Sequence, residues 1–182
     1  MNIQEFISNY HNHPVLFIGT GMSLRYLENS YSWNSLLQKI ASDFNPDPEY
    51  YLDLKAEHMQ STGYAYEQIA AQIEKDFNQC LKENRHGKFE YINDLFYENI
   101  RNGTNISRFK LYLADLLKEV IIKDSALPEI AELKKARKNI SSVITTNYDQ
   151  MIEQLFSFNP LIGNDILLSS PYGSVYKIHG CV

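Results

Sequence analysis

Three short apolar runs, far apart in the chain, each break abruptly into glycine or polar residues. They read VLFIGTGMS from Val15, ISSVITTNYD from Ile140 and SVYKIHG from Ser174. The first run has no polar alternation, which predicts a strand buried on both faces of a parallel sheet. A long stretch of helical pattern separates the first run from the second. That order of elements is typical of an α/β sheet with a helical insertion.

The residues between and around these runs repeat apolar side chains at helical spacing. Ser32 is predicted to cap a helix that contains Trp33, Leu36, Leu37 and Ile40. Other helices are predicted at 2–10, 64–83, 88–100, 107–123, about 128–138 and 148–156. We therefore predict a Rossmann-like parallel sheet in a single domain of residues 1–182, with a helical insertion at about 45–139.

Composition excludes several classes of function. A net charge of −5 and a pI near 5.5 do not indicate a nucleic-acid binder, and the basic residues at 134–138 are predicted to form a solvated helix face. The two cysteines, Cys80 and Cys181, cannot build a disulfide framework or a four-cysteine zinc site, so no metal is expected. Because the sequence has neither a membrane-length apolar run nor a signal-peptide pattern, we expect a cytoplasmic protein without a membrane partner.

The residues that follow the first strand suit a phosphate ligand. In open α/β sheets, ligands bind beyond the carboxyl ends of the strands. Gly19 and Gly21 would let the backbone approach a pyrophosphate, while amide groups and the Ser23 hydroxyl donate hydrogen bonds. A tight turn that needs glycine is the alternative interpretation. Arg25 either reaches a phosphate or is an ordinary surface arginine.

The other two strand ends carry polar side chains. Asn147 and Asp149 follow the second strand, although Asn147 could instead cap the helix at 148–156 in a capping box with Gln150. His179 ends the last strand, where an imidazole suits acid/base chemistry near neutral pH. Beside Gly180 it could equally be a turn residue. We expect Asn147, His179 and the 19–23 segment to line one cleft.

Taken together and in this order, the segments GTGMS, TTNYD and HG resemble those of the Sir2 superfamily. The sequence is most similar to the SIR2-like domain of bacterial antiphage defence NADases. The helix that opens Trp33-Asn34-Ser35-Leu36-Leu37 and the strand Lys177-Ile178-His179-Gly180 resemble two further motifs of that group. The matching segments span nearly the whole chain, and the helical block is similar only in type.

The resemblance implies a Sir2/DHS-like form of the fold and NAD as the substrate. It places Asn147 at the nicotinamide ribose, His179 as the general base, and Asp149 beside the ribose pocket or the Asn147 turn. The residues implied to bind NAD are Gly19, Thr20, Gly21, Met22, Ser23, Arg25 and Thr146. The implied activity is an NAD+ glycohydrolase that yields nicotinamide and ADP-ribose and acts in antiviral defence by depleting NAD.

Alternatives to this hydrolase remain open. A module that senses NAD or ADP-ribose without turnover is one, and a purely structural α/β scaffold is another. An NAD-dependent deacylase is less favoured, because deacylating sirtuins usually carry a four-cysteine zinc module. The family continues beyond HG, so we expect a C-terminally truncated SIR2-like domain that is completed by a further domain or a partner subunit. A homo-oligomer is compatible with the resemblance.

Overall fold

A computed structural model describes residues 14–58, 65–168 and 173–178. Within these ranges the chain is mixed α/β. Its strands are β1 (Val15–Ile18), β2 (Ser142–Thr145), β3 (Asn159–Ile162) and β4 (Ser174–Lys177). Its helices are α1 (Thr20–Tyr26), α2 (Trp33–Phe44), α3 (Tyr50–His58), α4 (Ala65–Glu83), α5 (Glu90–Arg101), α6 (Arg108–Leu117), α7 (Leu127–Ala136) and α8 (Met151–Phe156).

The chain divides into two compact units. The first, an α/β unit, combines Met1–Ser30 with Leu117–Val182, and the second, a helical unit, is Tyr31–Leu116. The sequence-based bounds of the helical insertion, about 45–139, differ from these at both ends. Helix α2 belongs to the helical unit through Leu37 and its neighbours, whereas Ile130 of α7 lies in the core of the α/β unit.

The four strands form one sheet in the order β1-β2-β4-β3, and every pairing is parallel. The predicted parallel α/β sheet is therefore confirmed, and the architecture is consistent with a Rossmann-like fold. The register aligns Ile18 with Thr145, Thr145 with Lys177, and Lys177 with Ile162. Because these are the last residues of their strands, the carboxyl ends finish level along one edge of the sheet.

One face of the sheet is packed against helices of the α/β unit. Leu16, Ile18, Val143 and Val175 lie on this face, because side chains two positions apart share a face and the register aligns their strands. They pack in a cluster with apolar residues of α1, α7 and α8, among them Tyr26, Ile130, Met151, Ile152, Leu155 and Phe156.

The predicted burial of β1 on both faces is wrong. Val15 is 52% exposed and Phe17 is 68% exposed, while Ile18 is buried. Strand β1 is at the edge of the described sheet, since it pairs only with β2. Val15 and Phe17 lie on the face opposite to the one that packs against the helices. Strand β2, by contrast, is largely buried.

The helical unit has a separate core centred on Phe77 of α4. The Phe77 ring stacks on that of Tyr112, with centroids 5.2 Å apart, and meets those of Phe44, Phe89 and Phe109 edge to face. Such aromatic pairs contribute on the order of 1 kcal/mol each beyond the area they bury. Ser32 caps α2 as predicted, in a reciprocal capping box with Ser35.

Other elements of the structure also differ from the prediction. The helix predicted over 107–123 ends at Leu117, because the β-branched residues after it pair with the segment that follows α1, through a bridge between Leu27 and Ile122. Strand β3 and helix α3 are not among the elements that the sequence pattern predicts. The helix predicted at 2–10 lies outside the described residues. No helix in the described ranges is long and apolar enough to span a membrane.

Candidate functional site

The ends of β1 and β2 bring two of the predicted segments side by side. The Thr146 amide donates to the Ile18 carbonyl at 3.4 Å, and the Ile178 amide donates to the Thr145 carbonyl at 3.2 Å. The ladder therefore continues one residue beyond the strands. A side chain built at Gly19 would lie 3.8 Å from the Thr146 hydroxyl. The residues after β1 thus lie directly beside the turn after β2.

Asn147, Ser23 and Asp149 form one hydrogen-bonded network at this edge. The Asn147 Nδ2 donates to the Ser23 Oγ at 2.8 Å and to the Gly19 carbonyl at 3.2 Å. The Ser23 hydroxyl in turn donates to the Asp149 Oδ2 at 2.7 Å. Three residues that the sequence placed in one site are therefore in contact, although they come from two distant parts of the chain.

The orientation of the Asn147 amide leaves one acceptor without a partner. The Gly19 carbonyl oxygen can only accept a hydrogen bond, so the Nδ2 of Asn147 must face it and the Oδ1 of Asn147 must point the other way. Asn147 is only 5% exposed, and its Oδ1 has no hydrogen-bond partner within the described residues. A buried acceptor left unpaired costs about 1–3 kcal/mol. The Asn147 Oδ1 is therefore an acceptor that the described residues leave unused.

The alternative interpretation of Asn147 as a helix N-cap is wrong. Helix α8 begins at Met151, three residues later than predicted, and Gln150 precedes it without a side-chain capping bond. Asp149 takes the capping role instead, since its Oδ1 accepts from the Met151 amide at 3.0 Å. Asn147 is not at the N-cap position, because α8 begins at Met151 and Gln150 precedes it directly.

The glycine segment is helical, although the sequence pattern predicts no helix between β1 and Ser32. Gly19 precedes α1 in an extended conformation, with φ of −113°, and Gly21 lies within α1. Neither glycine has a positive φ. A Cβ at Gly21 would meet no atom within 4 Å. The alternative of a tight turn that needs glycine is therefore wrong, and the space above Gly21 is open.

Ser23 is the member of this segment that joins the network. It is buried, and its hydroxyl hydrogen goes to Asp149, which differs from the expected hydrogen bond to a phosphate. Thr20 and Met22 are partly buried in the same helix. The Met22 amide donates to the Gly19 carbonyl at 3.1 Å, so that carbonyl accepts from both Met22 and Asn147.

Arg25 is engaged elsewhere. Its guanidinium forms a bidentate ion pair with Glu129 of α7, with the shortest contact at 2.8 Å, and the Tyr26 hydroxyl donates to the same carboxylate. The hydrogen bonds from Arg25, and then from Tyr26, hold the pKa of Glu129 below its ordinary value. The interpretation as a surface arginine fits this arrangement, and a role for Arg25 at a phosphate stays a prediction.

Two further residues, Lys177 and Glu153, support the turn, and no sequence pattern assigns them a role there. The Lys177 ammonium lies against the carbonyls of Tyr148 and Asp149 and the carboxylate of Glu153. The available signal was a lysine at the end of the otherwise apolar strand β4. Predicting its contacts requires the strand register, which the sequence does not show.

His179 and Gly180 lie outside the described residues, so their predicted place in the cleft stays a prediction. No cluster of three or more metal-ligating side chains was found in the described parts of the chain.

Comparison with family models, with curated proteins and with solved structures finds no significant match to this chain. The class that the structure defines is therefore a general one: an α/β protein with a four-stranded parallel sheet in the described residues, consistent with a Rossmann-like fold. Its candidate site is the network of Ser23, Asn147 and Asp149 beyond the ends of β1 and β2.

Proposed function

We propose that the protein is an NAD+ glycohydrolase whose site is built around Asn147. The observation that carries the proposal is the buried Oδ1 of Asn147, which has no partner among the described residues. It lies at the carboxyl ends of two adjacent parallel strands, where open α/β sheets bind their ligands. The resemblance of GTGMS, TTNYD and HG to SIR2-like NADases supplies the choice of NAD.

The chemistry needs a group that can orient the nicotinamide ribose. When the bond between the ribose and nicotinamide breaks, its electron pair leaves with nicotinamide, and positive charge spreads over the ribose ring. Water then adds to the ribose carbon and gives up a proton, so the products are nicotinamide, ADP-ribose and H+. The Asn147 Oδ1 would accept a hydrogen bond from a ribose hydroxyl or from this water.

Asp149 suits the same step through its charge. Its two oxygens each accept one hydrogen bond, from Ser23 and from the Met151 amide, so the carboxylate is held in one orientation. A fixed negative charge near the ribose favours the cationic transition state over the ground state. His179 is proposed as the general base on the resemblance alone.

The 19–23 segment is proposed to receive the diphosphate. Gly21 is exposed and has open space where a side chain would stand. Because glycine lowers the stability of a helix and no contact here demands it, close approach of a ligand to the backbone is a physical reason for its presence. Thr20, Met22 and Thr146 would line the same part of the site.

The proposal is tested by measuring nicotinamide release from NAD by chromatography. Asn147→Ala removes the acceptor and should lower kcat by about 10²-fold or more, on the scale of losing one positioned hydrogen-bonding group in a transition state. Asn29→Ala is the matched control, because Asn29 also has a buried Oδ1 without a partner in the described residues and its Nδ2 donates to the Glu119 carbonyl.

The control should keep wild-type turnover. Equal loss in both variants would trace the effect to stability and contradict a role for Asn147 in the reaction. Binding of NAD without any turnover in the wild-type protein would favour a sensor of NAD or ADP-ribose instead.

A further inference from the structure

Lys177 is a buried lysine with an unusual set of partners. Its side chain is fully buried at the end of β4. Its Nζ donates to the Asp149 carbonyl at 2.6 Å, to the Glu153 carboxylate at 2.9 Å and to the Tyr148 carbonyl at 3.2 Å. An ammonium group has three hydrogens to donate, so these partners can use all of them.

Two of these three partners belong to the turn that carries the candidate site. Tyr148 and Asp149 follow Asn147 directly and lie between β2 and α8. Their carbonyls are held from the β4 side by Lys177, while the Asp149 side chain is held by Ser23 and the Met151 amide. The turn is therefore fixed through its backbone and its side chains by three separate segments.

Charge neutralisation alone does not explain this arrangement. Glu153 would balance the charge of Lys177 without any carbonyl contact, and its Oε2 has no partner among the described residues. Buried ion pairs can often be replaced by apolar residues at little cost in stability. An apolar pair in place of Lys177 and Glu153 would lose the two hydrogen bonds to the turn carbonyls.

We propose that Lys177 is a positioning residue, whose ammonium holds the turn carbonyls and so sets Asn147 and Asp149 in place for the reaction. This inference rests on the proposed function. Asn147 acts through its side-chain oxygen, and a shift of about 1 Å in a reacting geometry can lower a rate by on the order of 10²-fold.

The test compares two variants that treat the turn differently. Glu153→Gln removes the counter-charge but keeps the ammonium, its bonds to the Tyr148 and Asp149 carbonyls, and a side-chain oxygen at position 153 that can accept from it. The double variant Lys177→Met with Glu153→Gln removes the ammonium without leaving an unpaired buried carboxylate, which Lys177→Met alone would do. Thermal unfolding identifies any variant that fails to fold.

In steady-state turnover of NAD, the double variant should lose about 10-fold to 100-fold in kcat relative to Glu153→Gln, with KM changed far less. A purely structural role would lower the melting temperature without this difference between kcat and KM. Equal kcat in the two folded variants would overturn the proposal.

Amide hydrogen exchange provides a second readout that does not depend on turnover. The Met151 amide, which donates to Asp149, should exchange faster in the double variant than in Glu153→Gln. The Gln154 amide of α8, which donates to the carbonyl of Gln150 just before the helix, serves as an internal control and should be unchanged.

The two readouts separate the possible failures. Faster exchange at Met151 in a protein whose wild type does not cleave NAD would support the positioning of the turn and reject the proposed function. Unchanged exchange and unchanged kcat in an active enzyme would reject the role of Lys177 and leave the proposed function standing.

Discussion

At the scale of single residues, the candidate site depends on hydrogen bonds that tie distant parts of the chain together. The Ser23 hydroxyl accepts a hydrogen bond from Asn147 and donates one to Asp149. The identity of these three residues was predictable from the polar turns that follow two apolar runs. Their pattern of bonds was not, because Asn147 could equally have capped a helix on local grounds.

Gly21 allows a residue-scale test that separates folding from ligand binding. Gly21→Ala should stabilise the fold by up to about 1 kcal/mol, because alanine favours a helix and the added methyl meets no atom within 4 Å. The same methyl would stand where the diphosphate is proposed to approach, so KM for NAD should rise. Urea unfolding and steady-state kinetics measure the two effects. A gain in stability with unchanged KM would remove Gly21 from the proposed site.

At the scale of elements, the sequence predicted those whose signal is local. Helix α2 was predictable because Ser32 provides a cap and the apolar positions repeat at helical spacing. Strand β3 was not, since Asn159–Ile162 is short and contains Pro160, which reads as a loop residue. Helix α1 was not predictable either, because it begins with Thr20 and Gly21, which are weak helix formers.

Pairing with residues distant in the sequence explains why some elements differ from their predicted bounds or burial. The residues after Leu117 continue a helical pattern, yet the Glu28 amide donates to the Ile121 carbonyl and the Lys123 amide donates to the Tyr26 carbonyl. No local property of these residues identifies their partners. The exposure of Phe17 is also non-local, because it depends on the pairing of β1 and on which face of the sheet the helices cover.

At the scale of the whole molecule, stability should depend on pH through a partly buried carboxylate in the helical unit, that of Asp43. Burial by itself would raise the pKa of Asp43, but hydrogen bonds from Lys39, Lys88 and Tyr112 outweigh it and hold the pKa below its ordinary value. Burial, and then the hydrogen bond to Asp43, also raises the pKa of Tyr112. Asp43 is therefore ionised in the folded protein down to lower pH than in the unfolded chain.

The sign of the pH effect follows from that depression. The stabilisation is complete above the unfolded value of about 3.8 and is lost as the pH falls through the lower folded-state pKa. Asp43→Asn should destabilise the protein near neutral pH and flatten the decline of the unfolding free energy below about pH 4. Urea unfolding across acidic pH measures this decline. An equally steep decline in the variant would show that other carboxylates govern acid unfolding.

The most direct test of the central claim is a proton NMR time course of NAD with the wild-type protein. We expect the signals of free nicotinamide and ADP-ribose to grow as those of NAD decline. NAD signals that broaden on binding but stay constant in time would contradict hydrolysis and support a sensor. Signals that neither broaden nor decline would contradict both and leave the network of Ser23, Asn147 and Asp149 as a structural feature of the sheet edge.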